Sequence, residues 1–113
     1  MKCESIAESL SVEDGVVQIA FDLAGSPAVY LILSKPRDVG AKHEFFGEDH
    51  YAEVQDQIYG GYGVIEVLEI DDAFRFHIRL KAGVPGVGRY LTIISRTAMP
   101  DGVMNELRTL ERR

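Results

Sequence analysis

The chain has 113 residues, of which 46% are hydrophobic and 27% are charged, and its net charge is −6 at pH 7. These values predict one globular domain, residues 1–113, and exclude an intrinsically disordered chain. No run of 18 apolar residues predicts a membrane-spanning helix, and the first 15 residues lack the apolar core of a secretory signal. The single cysteine, Cys3, fits a reducing compartment, so we expect a cytoplasmic protein with no membrane partner.

Seven segments have the patterns of β-strands: residues 4–10, 15–23, 28–34, 51–54, 64–70, 74–81 and 90–95. Apolar and polar side chains alternate in residues 15–23, which is typical of a half-buried antiparallel strand. Residues 28–34 are almost continuously apolar and predict a central strand, whereas the weak alternation of residues 4–10 predicts an edge strand. Residues 37–49, which include Phe45 and Phe46, have no clear period and predict a loop.

The second half of the chain predicts a hairpin and a helix. Residues 64–70 and 74–81 are joined by Asp71 and Asp72, and Phe74, Phe76, Ile78 and Leu80 of the second strand are expected to face the core. After Pro100, the apolar residues Val103, Leu107 and Leu110 recur at helical spacing and predict an amphipathic helix over residues 101–112. The expected fold class is therefore α+β, with an antiparallel sheet of six or seven strands and one C-terminal helix packed on one face.

Negative charge is concentrated in the middle of the chain. Residues 43–74 contain nine Asp or Glu and no Lys or Arg, whereas residues 75–113 contain eight basic residues and three acidic ones. Such an acidic middle argues against a nucleic-acid partner and permits a cationic protein partner. The same run also fits a solvated face that aids solubility.

No motif predicts catalysis or a bound cofactor. The spacing of His43, Glu44, Glu48, Asp49 and His50 matches no metal-ligand pattern, so solvated loop residues are the better interpretation. Residues 60–63 (GGYG) lack the Lys-Ser/Thr that follows the glycines of a phosphate-binding loop, and a tight turn or bulge explains them better. Cys3 is interpreted as an ordinary thiol near a frayed terminus. We expect no enzymatic activity, no cofactor and no structural metal.

Tyrosines beside glycines are the most distinctive feature of the sequence. Tyr51, Tyr59 and Tyr62 lie around a cluster of three glycines, which offer little cover, so at least one ring is expected to be exposed. Tyrosine is favoured where proteins meet because its ring is apolar and its hydroxyl is polar. The anchors expected to bind a partner are Tyr59, Tyr62, Asp56 and Glu53. The alternative is that these rings pack over one end of a sheet.

Residues 51–57 (YAEVQDQ) and 59–65 (YGGYGVI) resemble the central motif of family 10 of the bacterial immunity proteins of polymorphic toxin systems. In that motif a "YxEvxDQ" strand end precedes a "GYGGI"-like turn, and the apolar run of residues 30–33 (YLIL) fits an N-terminal strand pair of the family. Gly63 is followed by Val64 where the family has a second glycine, and the glycine-rich residues 83–88 do not align.

The resemblance implies a cytoplasmic antidote that binds a cognate toxin and blocks it without chemistry of its own. An acidic middle would suit a basic toxin such as a nuclease, because complementary charge accelerates encounter. Two other classes stay open: a small-ligand-binding or sensor domain with its pocket between helix and sheet, and an enzyme. A homodimer is left open as well.

Overall fold

The computed structural model describes residues 2–24, 29–36 and 50–112. These residues form nine elements: β1 (Lys2–Glu13), β2 (Val16–Ala24), β3 (Val29–Pro36), β4 (Tyr51–Val54), β5 (Asp56–Tyr62), β6 (Ile65–Asp72), β7 (Arg75–Val84), β8 (Gly88–Ser95) and α1 (Asp101–Leu110). The strands make one sheet in the order β5-β4-β3-β2-β1-β8-β7-β6. Neighbouring strands are antiparallel except β1 and β8, which pair in parallel between residues 2–5 and 92–95. The predicted loop over residues 37–49 lies outside the described residues.

The expected α+β fold with an antiparallel sheet of six or seven strands is wrong. The molecule is mostly sheet, with eight strands of mixed direction and one short helix. The additional strand is β5, where the sequence predicts only a tight turn or bulge at residues 60–63. It pairs with β4 through Tyr51–Tyr62 and Ala52–Gly61. The parallel pair joins the first strand of the chain to the last, and a contact over such a sequence distance leaves no local pattern. For the same reason the first residues of β1 lie between two strands and not at an edge.

The two edge strands of the sheet, β5 and β6, follow each other in the chain. Only Gly63 and Val64 separate them, and so short a link spans at most about 11 Å. A flat sheet of eight strands would be about 34 Å wide. The sheet must therefore curl, and it forms a half-barrel. Gly63, with φ of +70°, donates its N–H to the carbonyl of His50 (3.0 Å), and the carbonyl of Val64 accepts from the N–H of Lys81 (2.9 Å).

The concave face of the half-barrel holds the core. Val17, Ile19, Phe21 and Leu23 of β2 are all buried, as their alternation predicts, and the ring of Phe21 lies 5.3 Å from that of Phe76. In β7, Phe76, Ile78 and Leu80 are buried as expected. Phe74 is not: it is 45% exposed because it lies in the hairpin turn, where its N–H donates to the Asp72 carboxylate (2.8 Å).

Helix α1 covers the concave face and contacts β1, β3 and the edge strand β6. Val103, Met104, Leu107 and Leu110 are buried. The ammonium of Lys35, on β3, lies 2.6 Å from the Glu106 carboxylate and also donates to the Thr109 hydroxyl. The helix ends at Leu110, two residues earlier than predicted, because Arg112 pairs with Leu68 of β6 through two backbone hydrogen bonds of 2.9 and 3.0 Å. The helix therefore ties β3 to the edge strand β6.

Cys3 lies in the core, not at a frayed terminus. Its side chain is 1% exposed, on a strand held between β2 and β8. Burial raises the pKa of the Cys3 thiol, because the thiolate would lose its hydration. Cys3 therefore acts as a small apolar core residue.

Candidate protein-binding surface

The tyrosine-rich segment folds as a hairpin at one end of the sheet. Strand β4 turns directly into β5 at Gln55, whose φ is +69° and whose N–H donates to the carbonyl of Tyr30 on β3 (3.1 Å). The register of β4 and β5 shifts within the hairpin: Ala52 pairs with Gly61, whereas Val54 pairs with Asp56. The additional residues of β5 form a bulge over residues 57–60, which lifts the middle of β5 away from the regular ladder.

The strand register places four side chains together on the convex face. Residues that face each other in antiparallel strands point to the same side, and Leu31 and Val54 form such a pair on the concave side. Alternation along the strands then places Tyr30, Tyr51, Glu53 and Tyr62 on the opposite side. The sequence does not predict this cluster, because Tyr30 belongs to a nearly continuous apolar run.

Glu53 is the centre of this cluster. It is only 7% exposed, and its two carboxylate oxygens accept the hydroxyls of Tyr30 (2.5 Å) and Tyr51 (2.6 Å). Short bonds of this kind are expected when the acceptor is ionised. The pKa of Tyr30 and of Tyr51 is raised to about 12, chiefly by the hydrogen bonds to Glu53 and also by burial of the two hydroxyls. Both hydroxyls donate to one carboxylate, which fixes the two rings in position.

Tyr62 is the exposed member of the cluster. Its ring packs edge-on against Tyr51, with ring centroids 5.4 Å apart, yet 51% of the residue is exposed. Behind Tyr51 lies Gly60, where an added Cβ would come within 2.4 Å of the Tyr51 hydroxyl oxygen. Glycine at position 60 is thus required for the close approach of Tyr51, which in turn supports Tyr62.

The four predicted anchors do not form one exposed patch. Tyr62 is exposed, and so is Asp56, whose carboxylate accepts the N–H of Ile58 (3.2 Å). Tyr59 is half-buried and packs against the core. Glu53 is buried beneath the tyrosines and supports them instead of meeting a partner directly. Ile58, which no sequence pattern singles out, is 76% exposed and is the most exposed large hydrophobic residue of this hairpin.

The acidic run of the sequence is divided between two parts of the fold. Glu66 of β6 binds both Arg79 and Arg89, at 3.1 Å each, and Asp71 lies 2.7 Å from the His77 imidazole. Glu69 and Asp72, also on β6, are exposed. In the tyrosine-rich hairpin, Glu53 is buried and Asp56 is exposed. Glu44, Glu48 and Asp49 lie outside the described residues. On β6–β8 two arginines thus pair with Glu66, whereas no described Lys or Arg pairs with Asp56.

His77 has two partners that the sequence does not predict. Its Nε2 contacts the Asp71 carboxylate, and its Nδ1 lies 2.9 Å from the Thr92 hydroxyl on β8. A hydroxyl, an imidazole and a carboxylate in a row are also the parts of a catalytic triad. Here the row lies on a sheet face where β8 pairs on both sides, so its backbone N–H groups belong to the ladder and not to an oxyanion hole. The arrangement ties β6, β7 and β8 together.

No metal site was expected at His43, Glu44, Glu48, Asp49 and His50, and of these five only His50 lies among the described residues. Among the described residues, no three His, Cys, Asp or Glu side chains are grouped so that they could hold a metal ion. His50 is buried at the start of β4, and His43, Glu44, Glu48 and Asp49 are outside the described ranges. Within the ranges described, no helix has the length and apolar character needed to cross a membrane.

No family model matches the chain, no curated protein matches it, and no solved structure matches its fold. The likeness to family 10 of the immunity proteins therefore rests only on the sequence of residues 51–65 and of the apolar run 30–33.

Proposed function

We propose that this protein is a non-enzymatic binding module of the immunity-protein kind, which neutralises a cognate bacterial toxin in the cytoplasm by direct binding. The observation that carries the proposal is the position of Tyr62, an exposed ring fixed on a support of Tyr51, Glu53 and Tyr30. The motif resemblance of residues 51–65 agrees with it and selects a toxin as the partner.

The support matters because ordering a side chain on binding costs free energy. An exposed tyrosine that is already held by neighbours loses less freedom when a partner covers it. The Tyr51 ring contacts Tyr62 and is itself held by Glu53. Ile58 adds exposed apolar surface on the same hairpin. An aromatic anchor beside an exposed aliphatic residue is a composition typical of binding hot spots.

Charge favours a basic toxin. Asp56 is exposed on this hairpin, and Asp22 is exposed on β2, where it faces Tyr30 of the cluster across the strand pair. The one described cation on β2–β5 is Lys35, which is buried and paired with Glu106. A negative surface of this kind accelerates association with a cationic partner, and the acceleration decreases as salt is added.

The alternative, a ligand pocket between helix and sheet, has less support. The space beneath α1 is filled by Val103, Met104, Leu107 and Leu110, each of them 5% exposed or less. Two clefts of about 370 and 230 Å³ lie elsewhere, on β1 beside residues 95–97 and on the convex face of β6–β8. Neither of these two clefts lies between helix and sheet, where the pocket was expected.

The test uses the toxin encoded by a reading frame adjacent to that of this protein, in catalytically inactive form. Affinity is measured by titration calorimetry for the wild type, Tyr62→Ala and Tyr90→Ala. Tyr90 is the matched control because it is also a tyrosine on a convex strand face and is 59% exposed. Tyr62→Ala is expected to weaken binding by about 2 kcal/mol or more, and Tyr90→Ala by less than about 0.5 kcal/mol.

Melting temperatures of the same variants separate binding from folding. Equal losses for both tyrosines, or a large drop in melting temperature of Tyr62→Ala with unchanged affinity of the folded protein, would contradict the proposed surface. If the adjacent frame encodes no toxin, or its product does not bind, the proposed toxin partner is wrong.

A further inference from the structure

A second surface, on strand β1, has the features of a binding site for an extended peptide. Strand β1 is 12 residues long, but its pairing with β8 covers only residues 2–5. Pairing with β2 continues to Glu13. In the described part of the chain, no strand pairs with the other side of residues 7–13, a length of about 23 Å.

The sheet leaves a slot at this position. Strand β8 ends at Ser95, whose hydroxyl donates to the carbonyl of Thr97 (2.6 Å), and the Arg96 guanidinium binds Glu4 (2.6 Å). These contacts turn the chain away from β1 just where β1 continues. A cleft of about 370 Å³ lies at the divergence, between residues 4–8 and residues 95–97. A guest strand would take the place beside β1 that β8 vacates.

Side chains along this edge are exposed and alternate in character. Ile6, which lies in a bulge of β1, is 65% exposed, and Leu10 and Val12 are 40% and 50% exposed. Leu10 and Val12 face Ile19 and Val17 on β2, so both lie on the concave side, and Leu10 borders Gly102 at the start of the helix. A guest strand would gain backbone hydrogen bonds from the edge and apolar contacts from these two side chains.

The other described edges are protected. Leu68 of β6 exchanges both of its backbone hydrogen bonds with Arg112, and the N–H of Ile70 donates to the Glu111 carboxylate. Strand β5 is interrupted by its bulge. Proteins usually cover or distort an edge in these ways because an open edge accepts foreign strands. In the described part of the chain, no segment pairs with this side of β1 over residues 7–13, and the bulge of β1 lies before Ala7.

Charge selects the guest. Residues 3–34 contain five acidic residues and no Lys or Arg. Of these, Glu8 and Glu13 lie on the edge itself, while Asp14 and Asp22 are exposed on the adjoining turn and strand. Pairing of β1 with a second copy would bring two glutamates from each chain onto one short ladder, which is unfavourable. A strand that carries Lys or Arg would be favoured instead.

We infer that residues 7–13 of β1 bind an extended, basic segment of another protein by strand addition. This inference is independent of the proposed function, since it uses the edge of β1 and not the tyrosine cluster on β3–β5. The guest is defined by its chemistry: an extended backbone with Lys or Arg alternating with apolar or β-branched residues.

The test uses a synthetic peptide of about ten residues in which Lys or Arg alternates with Val or Thr. Its binding to the full chain is followed by fluorescence anisotropy, and the site by amide hydrogen exchange. Exchange is expected to slow in residues 7–13 and to stay unchanged in β5. The same peptide, N-methylated at every second residue, keeps its charge but loses donors, and it is expected to bind at least about tenfold more weakly.

A charge variant provides the second readout. Glu8→Gln/Glu13→Gln is expected to weaken binding about fivefold, and the exposed control Glu69→Gln less than about twofold. Circular dichroism checks that each variant is folded, and the N-methylated peptide tests the inference on the wild type even if a variant unfolds.

Several results would overturn the inference. They are no binding at about 1 mM peptide in low salt, equal binding of the N-methylated peptide, exchange protection only at β5, and amides of residues 7–13 that are already protected in the unliganded protein. A stable dimer that protects residues 7–13 would show that the edge binds a second copy, against the charge argument.

Discussion

The two halves of the sheet differ in their net charge and in how their acidic side chains are paired. Residues 1–62, which contain β1–β5, carry 11 acidic and four basic residues, whereas residues 63–113 carry seven and eight. In the second half Glu66 is shared by two arginines and Asp71 binds His77. In the first half Glu53 is buried under two phenols, and the exposed acids Asp22 and Asp56 have no described cation beside them. A contiguous acidic run in sequence is therefore not an acidic surface, because the fold divides it.

The edges of the halves differ in the same sense. Strand β6 is covered by the C-terminal segment through Leu68 and Arg112, whereas the edge of β1 over residues 7–13 pairs with no described strand. Both proposed binding surfaces thus lie in the half that keeps its negative charge. The second half carries nearly equal numbers of acidic and basic residues.

The largest expected effect tests whether the two halves are one cooperative unit. Leu107 is 0% exposed under the helix that contacts both halves, so Leu107→Ala is expected to lower the free energy of unfolding by about 2–5 kcal/mol. Leu10→Ala is the matched control, since Leu10 is 40% exposed, and about 1 kcal/mol or less is expected there. Urea unfolding measures both. Two separate transitions in the wild type would show that the halves unfold independently.

The next largest change in stability is expected when a glycine of the first half, and not one of the second half, is replaced by alanine. Gly60→Ala brings a Cβ within 2.4 Å of the Tyr51 hydroxyl oxygen and is expected to cost about 1–3 kcal/mol of stability. At Gly83, on β7, the nearest atom to an added Cβ is 3.8 Å away, so Gly83→Ala is expected to change stability by about 0.5 kcal/mol or less. Thermal unfolding of both variants measures the difference. Equal effects would mean that the tyrosine cluster tolerates displacement of Tyr51.

Removing the buried carboxylate should change stability and its pH dependence. Glu53→Gln keeps one oxygen that can accept a tyrosine hydroxyl but replaces the other with an NH2 donor, so one of the two hydroxyls loses its acceptor, and the change is expected to cost about 1–2 kcal/mol. In the wild type the pKa of Tyr30 and Tyr51 is about 12 in the folded protein, against 10.0 in a model compound. The folded state therefore holds these protons more tightly, so their stabilisation is complete below pH 10 and is lost as pH rises from 10 to 12.

The measurement is urea unfolding between pH 9 and 12, with tyrosinate absorbance as the direct readout of the phenols. Glu53→Gln is expected to lower the pKa of both tyrosines and to flatten the decline in stability above pH 10. Glu69→Gln, on the outer strand β6, serves as the control and should leave both curves unchanged. An identical tyrosinate curve for wild type and Glu53→Gln would contradict the assigned hydrogen bonds.

The smallest change in stability is expected for an ion pair in the second half of the sheet, residues 63–113. Glu66 binds two arginines, but its side chain and those of Arg79 and Arg89 are each about 40% exposed. Solvent screening makes such pairs weak, so Glu66→Ala is expected to cost about 1 kcal/mol or less, and less still in about 0.5 M salt. Urea unfolding at two salt concentrations measures this. A loss greater than that of Glu53→Gln would reverse the ranking of the two halves.

Local patterns identified most elements correctly where one face is buried. The alternation of Val17, Ile19, Phe21 and Leu23 is visible in sequence and reappears as the core face of β2. The helical spacing of Val103, Leu107 and Leu110 reappears as the buried face of α1. The pattern failed at Phe74, because a turn interrupts the alternation, and at β5, because glycines hide a strand that gains its stability from pairing with β4.

What the sequence by itself determined is the set of strands and the helix that bury a periodic apolar face, since that information lies within a few neighbouring residues. Only the tertiary structure decided the parallel pairing of β1 with β8, the curl that brings β5 next to β6, and the meeting of Tyr30, Tyr51 and Tyr62 around Glu53. The tertiary structure also decided which acidic side chains pair with a cation, as Glu66 does with Arg79 and Arg89. Each of these depends on the register between distant strands, and register is set by how all the strands pack on one core, not by any single segment.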